Sequence, residues 1–525
     1  MITLLDYGAG NVRSVINAIE RAGESVKIVT SGDDILSAQK LVFPGVGAFG
    51  SMMESLEQKK LVEPLKAYLE QNRPFLGICL GLHVLFNGSD EALDKPGLGF
   101  LAGQVKRFDT MLSIPHIGWN GISCHQSSVL WHGLSGQEKF YFVHSYHPDP
   151  IRESDILCTS DYGNCFASGI QKGNVIAVQF HPEKSGQVGL RVLENFIKMD
   201  KQSAVPIQTP QVTRLAKRII ACLDVRTNDQ GDLVVTKGDQ YDVREKGNVR
   251  NLGKPVSLAQ RYYEAGADEI TFLNITGFRD FPLEDMPMLD VLRQTSQNVY
   301  VPLTIGGGIR DYTDANGRFY SALDVASAYF RSGADKISIG SDAVHIVSRY
   351  VINRKKARNN AIETIAKVYG SQAVVISIDP RRVYISDPER IPFKAIPTKY
   401  PGPNGEKYCW YQCTVKGGRE RTNIDVITLA LVCEKLGAGE ILLNCIDRDG
   451  TNSGFDIELI NAVRSVVSIP VIASSGAGCE AHFLEVFTQT EAEAALAAGI
   501  FHRNEVLIHD VKKYLAPHYV EIRQA

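Results

Sequence analysis

A chain of 525 residues carrying 56 basic and 59 acidic side chains has a formal charge of −3, too balanced for a protein dedicated to the nucleic-acid backbone. Its 44% hydrophobic and 22% charged residues are those of an ordinary globular protein, and the length predicts two domains. No apolar run approaches the roughly 18–20 residues of a membrane crossing, and MITLLDYGAG has neither a basic n-region nor a cleavage site.

From residue 1 to about 200, the runs ITLL, KLVFPGVG, PFLGICLG, KFYFVHSY and VIAVQFHPE alternate with helical patterns, and several end in Gly or Pro. Buried strands feeding turns read this way, so the first domain is expected to be α/β. Residues 201–213 hold two prolines and no strong period, which predicts a linker.

Residues 214–525 bring eight more strand-like runs, from RIIACLDV to AEAALAAGI, most separated by helical stretches. Eight βα units close into a (βα)8 barrel. An internal repeat supports this. GADEITFLN, starting at Gly266, matches GAGEILLN, starting at Gly437. Val301-Pro302-Leu303 matches Ile469-Pro470-Val471, and Asp224 and Asp379 close similar runs, so the barrel reads as two half-barrels. Residues 388–421, rich in Pro, Gly and charge, are expected to form a long loop. The ten cysteines are sparse, with no CxxC pair, so reduced thiols and no metal site are expected, as in the cytoplasm. A plastid location after removal of a presequence stays open.

Two constellations carry chemistry. Gly77-Ile78-Cys79-Leu80-Gly81 follows an apolar run and precedes a helical pattern, as in a nucleophile elbow; a core cysteine beside a turn has the same pattern. His181-Pro182-Glu183, about 100 residues on, offers a base for a thiol and a carboxylate to orient it. Gly45, Val46 and Gly47 could supply backbone N–H groups to an oxyanion hole, alongside that of Leu80. In the second half, Asp224 and Asp379 end strands one and five and would face each other across the barrel mouth as an acid/base pair, or merely cap helices. Lys237 is a candidate substrate contact and Asp449 a weaker polar one. Gly307-Gly308, Gly340-Ser341, Ser475-Gly476 and Gly499 end strands three, four, seven and eight. Glycine turns before helices admit phosphate, so two sets on opposite half-barrels predict a substrate phosphorylated at both ends.

DYGAGN (6–11), PGVG (44–47), GICLG (77–81), FVHSY (142–146) and HPEKS (181–185) resemble the class I, triad-type glutamine amidotransferases. DYGAGN and HPEKS narrow the likeness to the glutaminase of the imidazole glycerol phosphate synthase family. AKRIIACLDV, TKGD, TIGGGIRD, GADKISIGSDAV and ASSGAG resemble that family's cyclase, in the fused eukaryote-type arrangement. The resemblance implies that Cys79 attacks glutamine, His181 moves the proton and Glu183 orients it. It also implies that ammonia passes a ring of Arg218, Glu269, Lys336 and Glu440 at the barrel floor. The cyclase partner would be phosphoribulosyl-formimino-aminoimidazole carboxamide ribonucleotide, with Asp224 and Asp379 as acid/base pair and Lys237 touching substrate. No cofactor and no metal are implied. One departure stands out: His83 occupies the place of the family's usual Gln, one helical turn after the nucleophile, where it could still face glutamine. Two alternatives stay open, a barrel isomerase of a related bisphosphorylated intermediate and a non-catalytic, glutaminase-like regulatory fusion.

Overall fold

The computed structural model describes the chain except for residues 211, 229–231, 237–243, 246–247, 250, 276–281, 354–359 and 525. Lys237 therefore lies outside the described residues.

The first half is built on strands β1 (Ile2–Leu4), β2 (Val26–Ile28), β3 (Leu41–Gly45), β4 (Phe75–Cys79), β5 (Ser123–Cys124), β6 (Ile156–Tyr162), β7 (Asn164–Lys172) and β8 (Val175–Val178). They form one sheet in the order β2-β1-β3-β4-β8-β7-β6-β5. Both faces are covered, as the near-continuous apolar runs require. Leu41 and Phe43 pack into one apolar cluster and Val42 into another, and Phe75 and Leu76 divide in the same way.

The second half closes into a barrel of eight parallel strands: β9 (Arg218–Thr227), β10 (Glu269–Asn274), β11 (Leu303–Gly306), β12 (Lys336–Ile339), β13 (Val374–Ile385), β14 (Glu440–Asn444), β15 (Val471–Ser474) and β16 (Ala494–Ala497). The repeat has a physical basis. Gly266 and Gly437 both follow a helix and both have positive φ, 92° and 108°, ending the helix and launching the next strand.

Residues 388–421 are not the long loop that their Pro, Gly and charge suggest. The far half of β13 runs on past the barrel and pairs antiparallel with Tyr408–Val415, which also pairs with Ala395–Pro397 and Glu420–Asp425. Tyr408–Val415 is mostly buried on both faces, and apolar and polar residues alternate only over Tyr411–Val415. Phe393 stacks on Trp410 with ring centroids 4.1 Å apart.

Residues 201–210 and 212–213 lie against the first half. Val205 and Ser128 exchange backbone hydrogen bonds of 3.1 Å, the Thr209 hydroxyl accepts from the Cys124 N–H at 2.8 Å, and Thr213 N–H donates to Asp161 at 2.9 Å. The two halves meet at the barrel floor. Ile117, Trp119 and Tyr141 of the first half join the barrel's own apolar cluster. Asn11 donates to Gly333 O and Asp335, and Lys184 pairs with Asp335 at 2.6 Å.

Candidate active site

Cys79 ends β4 with φ 53° and ψ −102°. A non-glycine residue held there is strained, and the strain stands its side chain out at a turn. The flanking glycines are obligatory. A Cβ on Gly77 would come within 2.3 Å of Gly81 O, and one on Gly81 within 2.0 Å of Phe43 O. The following helix spans only Leu80–His83, so it offers N–H groups rather than a long macrodipole. Gly45 pairs with Cys79 in register, which lays Gly45-Val46-Gly47 beside the nucleophile and against Leu80. The Val46 carbonyl accepts from the Tyr7 hydroxyl at 2.7 Å.

His181 follows β8, which runs parallel to β4 with Val178 opposite Ile78. Its Nδ1 lies 2.8 Å from Glu183 Oε1, and both side chains are buried. Burial opposes an imidazolium here, but Glu183 and Cys79 outweigh it and raise the His181 pKa from 6.5 to about 10. Ser185 locks the turn, donating to His181 O at 2.6 Å and accepting from Tyr141 N–H at 2.9 Å.

His83 is linked to the nucleophile through Gln179. Its Nε2 lies 2.8 Å from Gln179 Oε1, and Gln179 Nε2 donates to Cys79 Sγ at 3.4 Å. Burial lowers the His83 pKa to about 4, so the ring is neutral near pH 7. Sequence reasoning missed Gln179, although it sits two residues before His181. It also missed Glu91, which lines a cavity of about 260 Å³ between the halves together with Arg107, Ser145 and Tyr146. Burial raises the Glu91 pKa to about 7, and the carboxylate accepts from Phe49 N–H at 2.9 Å.

In the barrel, side chains alternate along each strand, so one face of β9 presents Arg218, Ile220, Cys222 and Asp224 from floor to mouth. Arg218, Glu269, Lys336 and Glu440 each begin a strand and are fully buried. They form the expected ring. Arg218 donates to Glu269 at 2.8 Å and to Glu440, while Lys336 donates to Glu269 at 2.8 Å and to Glu440 at 2.6 Å. Burial works against the Glu440 carboxylate, yet Arg218 and Lys336 prevail and lower its pKa. Above the ring sits an apolar cluster that includes Ile220, Cys222, Val375, Leu442, Ile472 and Leu496.

At the mouth, a cavity of about 480 Å³ brings together Asp224, Asp449, Ser475, Gly476 and Gly499 from the sequence candidates. Asp449 lies in the turn beyond β14 rather than at the strand's end. Gly307, Gly308, Gly340 and Ser341 follow strands three and four but do not line this cavity. Gly307 has φ 93°, and a Cβ there would meet Asn274 O at 2.2 Å. The Ser341 hydroxyl accepts from Lys416 N–H at 3.0 Å. Asp379 ends the inward face of the barrel part of β13. Burial raises its pKa, against a 3.0 Å hydrogen bond from Asn444, a partner not foreseen from sequence.

A family model for class-I glutamine amidotransferases matches residues 3–199, and one for a histidine biosynthesis protein matches residues 218–507. A curated imidazole glycerol phosphate synthase hisHF from Schizosaccharomyces pombe is 52% identical over 542 residues, covering 100% of both chains. The chain belongs to the hisHF family of imidazole glycerol phosphate synthases. A chloroplastic hisHF from Arabidopsis thaliana is 57% identical over 530 residues, 100% of this chain and 89% of that one. A HisF subunit from Methanobrevibacter smithii is 42% identical over 310 residues, 59% of this chain and 99% of its own. As a hisHF imidazole glycerol phosphate synthase, the chain joins a glutamine amidotransferase to a cyclase and works in histidine biosynthesis. It uses glutamine and a ribonucleotide, and neither alternative reading of the barrel or of the fusion stands. No described helix is long and apolar enough to cross a membrane.

Proposed function

We propose that the two constellations divide one synthase reaction, with glutamine hydrolysed at Cys79 and ring closure completed at Asp224 and Asp379. The observation that carries this is the strained Cys79 with a His181–Glu183 pair beside it, on the face that covers a barrel floor. In this reading the Cys79 thiolate attacks the glutamine amide carbon, and N–H groups of Gly45–Gly47 and Leu80 take the oxyanion charge. Imidazolium His181 gives its proton to the departing nitrogen, releasing ammonia and leaving a thioester. His181 then takes a proton from the water that hydrolyses the thioester, and Glu183 holds the ring throughout.

Ammonia would pass the Arg218–Glu269–Lys336–Glu440 ring when one of its ion pairs parts. The apolar interior above it favours the neutral molecule over ammonium. At the mouth, Gly307-Gly308 with Gly340-Ser341, and Ser475-Gly476 with Gly499, would hold the two phosphates of phosphoribulosyl-formimino-aminoimidazole carboxamide ribonucleotide. Asp379, with its raised pKa, suits the acid and Asp224 the base, and Lys237 would touch the substrate. Products are imidazole glycerol phosphate and aminoimidazole carboxamide ribonucleotide. The functional units would be residues 1–200 and 214–525, joined by 201–213. The ten free cysteines support a reducing compartment, the cytoplasm or alternatively a plastid, which cell fractionation tests. Replacing Cys79 with Ala should abolish glutamine-dependent turnover and leave turnover on ammonium salts intact. Loss of both in a folded variant overturns the division of labour.

A further inference from the structure

The geometry points to Gln179 as a catalytic residue of the glutaminase, one whose side-chain amide supports the Cys79 thiolate, and to His83 as the positioning residue that sets which way that amide faces. The inference rests on the reading of Cys79 as nucleophile.

A glutamine amide has two ends of opposite character, a carbonyl that accepts and an NH2 that donates. Beside a sulfur that carries charge, only the donor end helps. Gln179 is placed for the task by strand pairing. Its own N–H donates to Ser168 O at 2.9 Å, and the parallel register of β8 on β4 carries it alongside Cys79. Its Nε2 then lies 3.4 Å from Cys79 Sγ and its Oε1 2.8 Å from His83 Nε2.

The orientation follows from His83. If His83 Nε2 carries the proton, it donates to Oε1 and turns the NH2 toward sulfur. In the other tautomer Nε2 would accept, the amide would flip, and a carbonyl oxygen would face the thiolate. His83 Nδ1 is buried and has no hydrogen-bond partner among the described residues, as fits the nitrogen without hydrogen. A buried N–H left without an acceptor is the costlier choice. Cys79 thus has the amide of Gln179 as its donor, with His181 close enough to feel its charge, in a site where it is only 5% exposed. In so dry a site a hydrogen bond to a charged atom is strong.

The experiment measures the pH profile of Cys79 alkylation by iodoacetamide in the full-length enzyme, following the Cys79 peptide by mass spectrometry. Gln179→Glu, which offers sulfur an oxygen, and Gln179→Met, which offers it nothing, should both slow alkylation near pH 7 by about 10–100-fold and move the profile to higher pH. Glutaminase kcat should fall in parallel, with KM changed less than about three-fold and ammonia-dependent cyclisation unchanged. His83→Leu should act in the same direction, and His83→Gln, whose amide can still donate to Gln179, should restore the profile. Profiles of the Gln179 variants that superimpose on wild type overturn the inference. Should those variants not fold, the His83 pair decides it, since equal profiles for His83→Leu and His83→Gln overturn the positioning role. Glutamine turnover that survives Cys79→Ser would instead remove the nucleophile assignment itself.

Discussion

At the floor of the barrel, Arg218, Glu269, Lys336 and Glu440 answer one another, while at its mouth Asp224 and Asp449 line an open cavity beside Asp379. The same strands build both ends. Arg218 and Asp224 even lie on one face of β9, with only Ile220 and Cys222 between them. What differs is the company each charge keeps. Opposite charges lower the Glu440 pKa despite complete burial, whereas burial, aided by the charge of Asp449, outweighs the hydrogen bond from Asn444 and raises that of Asp379. At one end of the barrel the buried charges are paired, and at the other burial favours the neutral carboxyl of Asp379.

Mutating the mouth should give the largest effect. Asp379→Asn and Asp224→Asn should each lower ammonia-dependent turnover by about 10²–10⁴-fold without unfolding the barrel, as steady-state rates and a denaturant titration would show. Variants within three-fold of wild type would leave the mouth without an acid/base pair. At the floor, Glu440→Gln should destabilise the enzyme by about 3–5 kcal/mol in urea unfolding, because two buried cations then share one carboxylate. Its ammonia-dependent turnover should change far less than that of the mouth variants, and an equal loss would erase the contrast.

The smallest effect is in pH. A carboxylate whose folded pKa is lowered, as in Glu440, adds stability that is present above its ordinary value of 4.5 and is lost as pH falls through the folded value. Asp379 has the opposite sign. Its raised pKa makes the charged form a burden at neutral pH, relieved as the carboxyl protonates. Asp379→Asn should therefore gain stability at pH 7 and lose that gain toward pH 4, while the cost of Glu440→Gln holds down to about pH 4.5 and shrinks only below it. Thermal unfolding of the two variants from pH 7 to well below pH 4 checks the signs.

The eight barrel strands, the half-barrel repeat and the elbow were legible because each leaves a local mark. A repeated Gly ends a helix, an apolar run ends in Asp, and small residues bracket Cys79. The contact of His83 with Gln179 left none. It spans 96 residues and exists because β8 inserts beside β4, an order that no local pattern encodes. Residues 388–421 misled for a different reason. Tyr408–Val415 is covered on both faces, so its sequence alternates only over Tyr411–Val415, a short signal that the surrounding Pro and Gly outweigh. Asn444 was hidden because a single asparagine ending a strand matters only once the barrel closes next to Asp379.

The segment from 201 to 213 does more than connect. Held to the first half through Val205, Thr209 and Thr213, it leaves little slack before β9 begins at Arg218. A tether of that kind makes docking of the halves intramolecular, with an effective concentration fixed by the chain rather than by how much enzyme is present. The yield of product per glutamine consumed should then be indifferent to dilution, a robustness that two separate subunits would lose as they fall below their dissociation constant.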